Sequence, residues 1–419
     1  MDLLKDIELY QHLLGIPAPW TVEHVELHIK DGRVDVFATH PGGVEWPCPE
    51  CGLKLTTFDH TAERVWRHLD SCQFKTYLHA RPPRVDCPTH GRLQVVVPWA
   101  EARSHFAAHF ETKAIDVLLE TPVEGASKLL DTSWDETWHI KERAVERGLE
   151  AKARAPPPLR HIGVDEKAIG HGQTYATLVY NLDRSTVEYV GEDRKQESLD
   201  AYFLTLTQKQ LTGLDGVALD MWDPFISSIE KFVPNAAEKM VFDPFHIVKH
   251  MNDAVNDVRK WEHREIKVDG KSPLSGTRFW WLYGRENLPE RYREGFTALQ
   301  EAHLRTGRAW SIKEALRDLW AQEDLTAGTS YWKWWHFWAT HSRLEPVKKV
   351  AKMVKEHLSG VLNFFRHHIT NAVAEGLNSK VATIQKMAAG FRNKGHFRIA
   401  VLFKCGGLSL YPATPRKAG

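Results

Sequence analysis

Ile162-Gly163-Val164-Asp165, Tyr175-Ala176-Thr177-Leu178-Val179-Tyr180, Thr186-Val187-Glu188-Tyr189-Val190 and, further on, Val217-Ala218-Leu219-Asp220 are the segments that decide how this chain folds. The first three are rich in β-branched and aromatic residues and read as consecutive strands, with Asn181-Leu182-Asp183-Arg184-Ser185 as the turn between the second and third. A helical pattern from Glu197 to about Leu211 leads into the fourth strand. A helix over Pro224–Phe232, a fifth strand over Lys239–Phe242 and a helix opening at Pro244 complete the run. The expected succession is a β-meander feeding alternating α/β units.

Upstream, Ala155-Pro156-Pro157-Pro158 cannot be helical and divides the chain. The 419 residues, 42% hydrophobic and 26% charged, are long enough for several domains. No run approaches the length of a membrane span, and Met1-Asp2-Leu3-Leu4-Lys5-Asp6 mixes acids into its apolar residues, so neither a span nor a secretory signal is expected and the chain reads as cytoplasmic. The net charge of +1 hides an uneven distribution. After Glu375 there is no acid, but there are Lys380, Lys386, Arg392, Lys394, Arg398, Lys404, Arg416 and Lys417, a composition suited to a polyanion. Ten of the sixteen tryptophans fall between Asp220 and Glu375, which suggests a separately packed aromatic region.

Four of the five cysteines crowd between Cys48 and Cys87, and in a reducing compartment that points to metal rather than disulfides. Cys48-Pro-Glu-Cys51-Gly and Cys87-Pro-Thr-His90-Gly each set two soft ligands three positions apart on a tight knuckle, with glycine following. Cys48, Cys51, Cys87 and His90 thus read as a structural Zn2+ site, a closed tetrahedron that serves folding rather than catalysis. Cys72, His60, His68 and His79 lie between the knuckles as other donors for the fourth position.

Val123–Leu130, then Asp131-Thr132-Ser133, then Trp134–Arg147 reads as two helices around a tight turn, with Ser133 and Glu136 forming a capping box. Trp134, Trp138, Ile140 and Ala144 give a packing face, and His139, Lys141, Arg143 and Arg147 are expected to face outward, as on the recognition helix of a helix-turn-helix.

The order of strands and helices after the proline linker matches the ribonuclease H-like topology, in which the first and fourth strands are neighbours. Asp165 and Asp220 would then meet at adjacent strand tips. Paired carboxylates suit divalent cations and two-metal phosphoryl transfer. Glu166, Asp215 and Asp223 are rival acids, Asp223 reading as a helix cap before Pro224. A third carboxylate is expected after the fifth strand, and Glu375 is the candidate. On a helix opening near Asn371 it shares a face with Ser379 and Lys386, while Ala374, Leu377, Val381 and Ile384 form the apolar stripe. The other reading of Glu375 is a solvated helix glutamate. The stretch between Asp243 and Glu375 reads as an inserted helical domain, with Ser311 and Glu314 as a cap. Trp332, Trp334, Trp335 and Trp338 are either its core or base-stacking side chains.

Taken in order, Cys48-Pro-Glu-Cys51-Gly, Trp66-Arg-His-Leu-Asp70, Cys87-Pro-Thr-His90-Gly, Gly163-Val-Asp165-Glu166, Leu219-Asp220-Met-Trp-Asp-Pro224, Phe242-Asp-Pro-Phe-His246 and Asn371-Ala-Val-Ala-Glu375-Gly-Leu-Asn-Ser-Lys380 resemble a bacterial insertion-sequence transposase of the ISL3 family, a DDE-type recombinase, over almost the whole chain. The resemblance implies a catalytic triad of Asp165, Asp220 and Glu375 holding Mg2+ or Mn2+, with Asp243 and His246 near it as an Asp-x-x-His signature. It also implies metal-dependent strand cleavage and transfer, and DNA as partner, both transposon ends and target, in a homodimer or larger synaptic complex at the nucleoid. His139, Lys141, Arg143, Lys380, Lys386, Arg392 and Lys394 are the DNA-contacting candidates. Many DDE enzymes carry a basic residue seven positions after the glutamate; here Ala382 stands there. The alternatives are a DNA-binding regulator or inactive domesticated relative, and a nuclease without strand transfer. The expected domains are a zinc-binding region (1–105), a helix-turn-helix (106–154), the first part of an α/β core (155–260), a helical insertion (261–345) and the second part of the core with a basic tail (346–419).

Overall fold

The computed structural model describes residues 6–170, 174–268 and 272–413. The described residues form two compact units: one comprises residues 6–156 together with 408–413, and the other lies within Pro157–Gly407. The proline linker therefore marks a real boundary. The end of the chain departs from the expected 346–419 core segment. Leu408 packs against Gly148, and the Tyr411 hydroxyl donates to Asp116 at 2.9 Å, both within the first unit. Arg416 and Lys417 lie outside the described residues.

In the first unit, α1 (Asp6–Leu13) precedes nine strands: β1 (Thr21–His28), β2 (Arg33–Thr39), β3 (Glu45–Pro47), β4 (Lys54–Thr56), β5 (Asp59–His60), β6 (Arg64–Arg67), β7 (Lys75–Ala80), β8 (Pro83–Cys87) and β9 (Gly91–Gln94). They form a sheet in the order β1-β2-β7-β6, the hairpin β3-β4 and a small sheet β5-β8-β9. Their core is aromatic, with Trp20, Trp66 and Trp99 fully buried and meeting edge to face, as the ring quadrupole favours.

Three helices follow: α2 (Ala108–Glu120), α3 (Val123–Leu130) and α4 (Trp134–Arg154). The Ser133 cap forms as expected, its hydroxyl accepting from the Glu136 amide at 3.2 Å while Glu136 accepts from the Ser133 amide at 2.8 Å. The outward face does not form as expected. His139 is exposed, but Lys141 is buried with its ammonium over the Trp138 ring. Arg143 and Arg147 turn inward onto Glu111, which is 1% exposed, at 2.6 and 3.0 Å. A carboxylate buried that deeply requires cationic partners, so these arginines are held by α2 rather than offered to solvent.

The second unit is built on one five-stranded sheet of β10 (His161–Ala168), β11 (Tyr175–Asn181), β12 (Thr186–Val190), β13 (Gly216–Leu219) and β14 (Met240–Phe242), in the order β12-β11-β10-β13-β14. The first three strands are antiparallel neighbours; β13 joins β10 in parallel, with Ile162 opposite Val217, and β14 joins β13 in parallel. The first and fourth strands are thus adjacent. The helix expected over Glu197–Leu211 is two, α5 (Gln196–Leu204) and α6 (Gln208–Thr212), because Thr207 and Gln210 make a capping box that starts a new helix. Next come α7 (Asp223–Phe232), α8 (Ala236–Lys239) and α9 (Pro244–Glu265). Asp223 is the first residue of α7 rather than its N-cap, a position that Trp222 takes without a side-chain capping bond.

The remaining helices are α10 (Glu290–Glu301), α11 (Arg305–Arg317), α12 (Leu325–Thr340), α13 (Glu345–Glu356), α14 (Leu358–Leu362), α15 (Phe364–His367), α16 (Ala372–Met387) and α17 (Lys394–Cys405). The aromatic region is not separately packed. Trp281, Trp310, Trp332 and Trp335 share one continuous core with Met251 and Val255 of α9 and with Ile162, Val164, Val217 and Leu219 of the sheet. Ser311 caps nothing; it lies inside α11, where its hydroxyl donates to the Gly307 carbonyl at 3.1 Å. Of the tryptophans on α12, Trp332 and Trp335 are core, whereas Trp334 is 52% exposed.

Candidate functional site

Strand alternation sets the site. Successive strand side chains point to opposite faces. Val164, Leu219 and Phe242 all enter the core on one face. The residue after each of them, Asp165, Asp220 and Asp243, is therefore turned toward the other face or the strand end, on three adjacent strands. Helix α16 packs onto that second face. Its stripe Ala374, Leu377, Val381 and Ile384 is buried as expected, and Glu375 lies exposed beside it. Gly163 makes the approach possible, since a Cβ there would lie 2.6 Å from Asn371 Oδ1 and 2.9 Å from Leu182.

Each acid is held differently. Asp165 accepts the Glu166 amide at 2.8 Å on one oxygen and the Asn378 side-chain amide at 2.6 Å on the other. Asp220 accepts the Met221 amide at 2.6 Å, and its second oxygen lies 3.2 Å from His246 Nδ1. Asp243 caps α9, accepting from the Phe245 amide at 3.0 Å, while its Oδ2 is buried with no hydrogen-bond partner among the described residues.

The electrostatics show the groups acting on one another. Burial pushes the carboxyls of Asp165 and Asp243 above the usual range, and the charge of Asp220 pushes both the same way. Burial also raises Glu375, followed by the charges of Asp243 and Asp165. At Asp220 burial is outweighed by the hydrogen bond and charge of His246, which hold the carboxyl below its ordinary value. The same hydrogen bond, with the surrounding acids, raises His246.

The rival acids are engaged elsewhere. Asp215 pairs with Arg160 at 2.6 Å at the opposite end of the strands, and Glu166 lies 3.4 Å from Arg194. Sequence reasoning passed over Asn378, Tyr180 and Arg194. The Arg194 guanidinium stacks on Tyr175 and Trp222, 4.3 and 5.2 Å from the ring centres, and lies beside Glu166. Asn371, Asn378 and Gln385 recur every seven residues along α16 and its N-cap, a polar row beside the apolar stripe that was there to be read.

Asp165, Asp220, Asp243 and Glu375 offer the all-oxygen ligands that a hard divalent cation takes, and the Asp243 Oδ2 atom is buried without a partner among the described residues, although their oxygens do not gather within 4.8 Å of one another as the donors of the cysteine cluster do. Of the expected phosphate contacts downstream, Lys380, Lys386, Arg392 and Lys394 are all exposed, Lys394 donating to the Glu192 carbonyl at 2.9 Å.

A second cluster lies in the first unit. The ligand atoms of Cys48, Cys51, Cys87 and His90 all lie within 4.8 Å of one another. Cys51 and Cys87 sulfurs are 3.7 Å apart, and His90 Nδ1 is 3.5 and 3.9 Å from Cys87 and Cys48. Zinc–ligand bonds of ordinary length give tetrahedral edges of about 3.8 Å between sulfurs and about 3.5 Å from sulfur to nitrogen. Gly52 and Gly91, at φ of 74° and 70°, turn the two knuckles as their positions require. The Thr89 amide, foremost among several hydrogen bonds, draws the Cys87 thiol down to about 6, toward the thiolate a metal needs. The other donors are committed elsewhere: His60 to His40, and His79 to Asp35 and Glu63. His68 is buried away from the cluster, and Cys72 is exposed outside it.

Residues 162–401 match a family model described as a transposase, of the ISL3 type within the DDE class, and residues 45–90 match the zinc-finger of transposase IS204/IS1001/IS1096/IS1165. The chain is 25% identical over 418 residues to the transposase for insertion sequence element IS1557 of Mycobacterium tuberculosis, covering 93% of each chain. It is 23% identical over 387 residues to the transposase for insertion sequence element IS1001 of Bordetella parapertussis, covering 91% of this chain and 94% of that one.

Proposed function

This chain belongs to the ISL3 family of insertion-sequence transposases, and from that membership we propose that Asp165, Asp220 and Glu375 form its metal-binding catalytic triad. The observation that carries the reading is the placement of Asp165, Asp220 and Asp243 on or just past the ends of three adjacent strands, with His246 Nδ1 3.2 Å from Asp220 and the Asp243 Oδ2 atom buried without a hydrogen-bond partner among the described residues. The strand order and senses support a ribonuclease H-like core.

Mg2+ or Mn2+, held by the triad with Asp243 beside it, would supply Lewis-acid stabilisation of the phosphodiester oxygens and a more acidic attacking water. The protein's own part is to hold the donors. His246 keeps Asp220 ionised and aimed, Asn378 and the Glu166 amide fix the two oxygens of Asp165, and α16, packed beside β10, would present Glu375 to the metal. Water attacking phosphorus and later a DNA 3′-hydroxyl attacking phosphorus are the same in-line displacement, so one set of carboxylates serves both cleavage and joining.

The Cys48, Cys51, Cys87 and His90 cluster holds structural Zn2+. The zinc hairpins and the α3–α4 pair, with His139 as its exposed candidate, bind the terminal inverted repeats; Lys380, Lys386, Arg392 and Lys394 contact phosphates. Two ends must be joined, so the working form is a homodimer or larger synaptic assembly.

The test is incubation of the full chain with DNA bearing the element's own ends and Mg2+. Wild type should cut and join, and Asp165→Asn, Asp220→Asn and Glu375→Gln should each lose about 10²–10³-fold or more while still binding DNA. Binding without any cutting by wild type would instead identify a regulator, and cut but never joined ends a nuclease.

A further inference from the structure

Between Asp165 and the helix that carries Glu375 runs a line of hydrogen bonds that the proposed chemistry does not itself require. Tyr180 on β11 sits opposite Gly163 in the antiparallel register, so its side chain emerges on the face that α16 covers. It is 0% exposed, and its hydroxyl donates to Asn378 Oδ1 at 2.7 Å. Asn378 Nδ2 in turn donates to Asp165 Oδ2 at 2.6 Å.

The direction of this line is fixed by chemistry. An amide offers a donor side and an acceptor side, and only one orientation satisfies both neighbours. A carboxylate can only accept, so it needs the NH2 group, which leaves the amide oxygen for the tyrosine. Burial keeps the Tyr180 hydroxyl protonated far above its ordinary range, so it is always available to donate. Without it Asn378 can flip, presenting its oxygen to Asp165 in a repulsive contact.

The neighbouring turns of α16 are tied to the same strand. Asn371 Nδ2 donates to the Val164 carbonyl at 3.4 Å and Gln385 Nε2 to the Ala168 carbonyl at 3.2 Å. Residues seven apart fall on nearly one helix face. Glu375 lies four residues after Asn371 and three before Asn378, between two of the three ties.

We propose that Asn378, oriented by the buried Tyr180 hydroxyl, is a positioning residue that aims the Asp165 carboxylate and registers it against Glu375 on the same helix, so that the two acids enter the cation site as one unit. The inference rests on the triad reading above. Outer hydrogen-bond partners of metal-binding carboxylates are worth 10–100-fold in metal affinity.

The experiment is a Mn2+ titration of the full-length chain, without DNA, followed by electron paramagnetic resonance, with thermal melting measured on each variant. Asp165→Asn should abolish the competent binding; if it binds Mn2+ like wild type, the triad reading itself fails. With that control in place, Tyr180→Phe and Asn378→Leu should each weaken Mn2+ binding about tenfold, and the double variant should be no weaker than Asn378→Leu alone, since the hydroxyl acts through the amide. Gln385→Ala, which unties the helix about three turns beyond Glu375, should leave the affinity near wild type. Wild-type Mn2+ affinity in Tyr180→Phe, or losses that add in the double variant, would overturn the positioning role while leaving the triad standing. Tyr180→Phe removes one oxygen from a packed ring, so it keeps the test open if Asn378→Leu does not fold.

Discussion

Gly163→Ala is the smallest change that should disable the site. The added methyl would sit 2.6 Å from Asn371 Oδ1 and 2.9 Å from Leu182 Cδ2, where ordinary contact begins at 3.4 Å, so Asn371 must retreat by about 0.8 Å and Leu182 by about 0.5 Å. Leu182 closes one side and the entry to α16 the other, and Asn371 is buried, so the displacement passes into the helix that bears Glu375. Overpacking of this kind costs about 1–3 kcal/mol, which the chain should survive. Misplacing a reacting group by roughly 1 Å costs on the order of 10²-fold in rate. The assay compares divalent-metal-dependent cleavage of end-bearing DNA with the melting temperature of the same preparation. The expected result is a folded protein, modestly destabilised, with cleavage down about a hundredfold. A Gly163→Ala chain that cuts like wild type would refute the claim that α16 must approach this closely to deliver its glutamate.

Glu111→Ala should cost about 3–5 kcal/mol in urea unfolding, because it removes the carboxylate of Arg143 and leaves Arg147 with the carboxylate of Glu101 alone, whereas His139→Ala should leave stability unchanged. Cys51→Ser should lower bound zinc from one per chain toward none in a colorimetric release assay, and lower the melting temperature with it. His68 is buried with neither ring nitrogen hydrogen-bonded among the described residues, and burial, with the charge of His109, holds it down to about 4. The unfolded chain takes up that proton near 6.5, so the contribution is complete above pH 6.5 and is lost as the pH falls toward 4, by roughly 3 kcal/mol. Melting curves across that window should flatten in His68→Leu; an unchanged slope would assign the acid sensitivity elsewhere.

Much of the second unit was legible because a strand's chemistry is local. Runs such as Tyr175–Tyr180 carry their own β signal, and once five strands are placed the adjacency of Asp165 and Asp220 follows from topology. The knuckles were legible for the same reason, since ligand spacing and a positive-φ glycine are contained within five residues. What escaped depends on partners distant in sequence. Helical spacing assigns Lys141 and Arg143 to a face, but only the presence of Glu111 on another helix determines that Arg143 turns inward. The tryptophan-rich stretch reads as a separate domain by composition, yet composition does not say what a ring packs against, and these rings share the core of the sheet. Ser311 with Glu314 has the spacing of a cap, but α11 starts six residues earlier, at Arg305, where Glu262 of α9 accepts its first amides. Tyr180 and Asn378 are 198 residues apart, and no local pattern links them.

The most direct measurement is anomalous diffraction from crystals of the full-length chain soaked in Mn2+. Peaks with oxygen atoms of Asp165, Asp220 and Glu375 together in their coordination shell are the predicted result. Mn2+ bound by the strand acids with Glu375 turned away to solvent, or bound only elsewhere on the chain, would contradict the account.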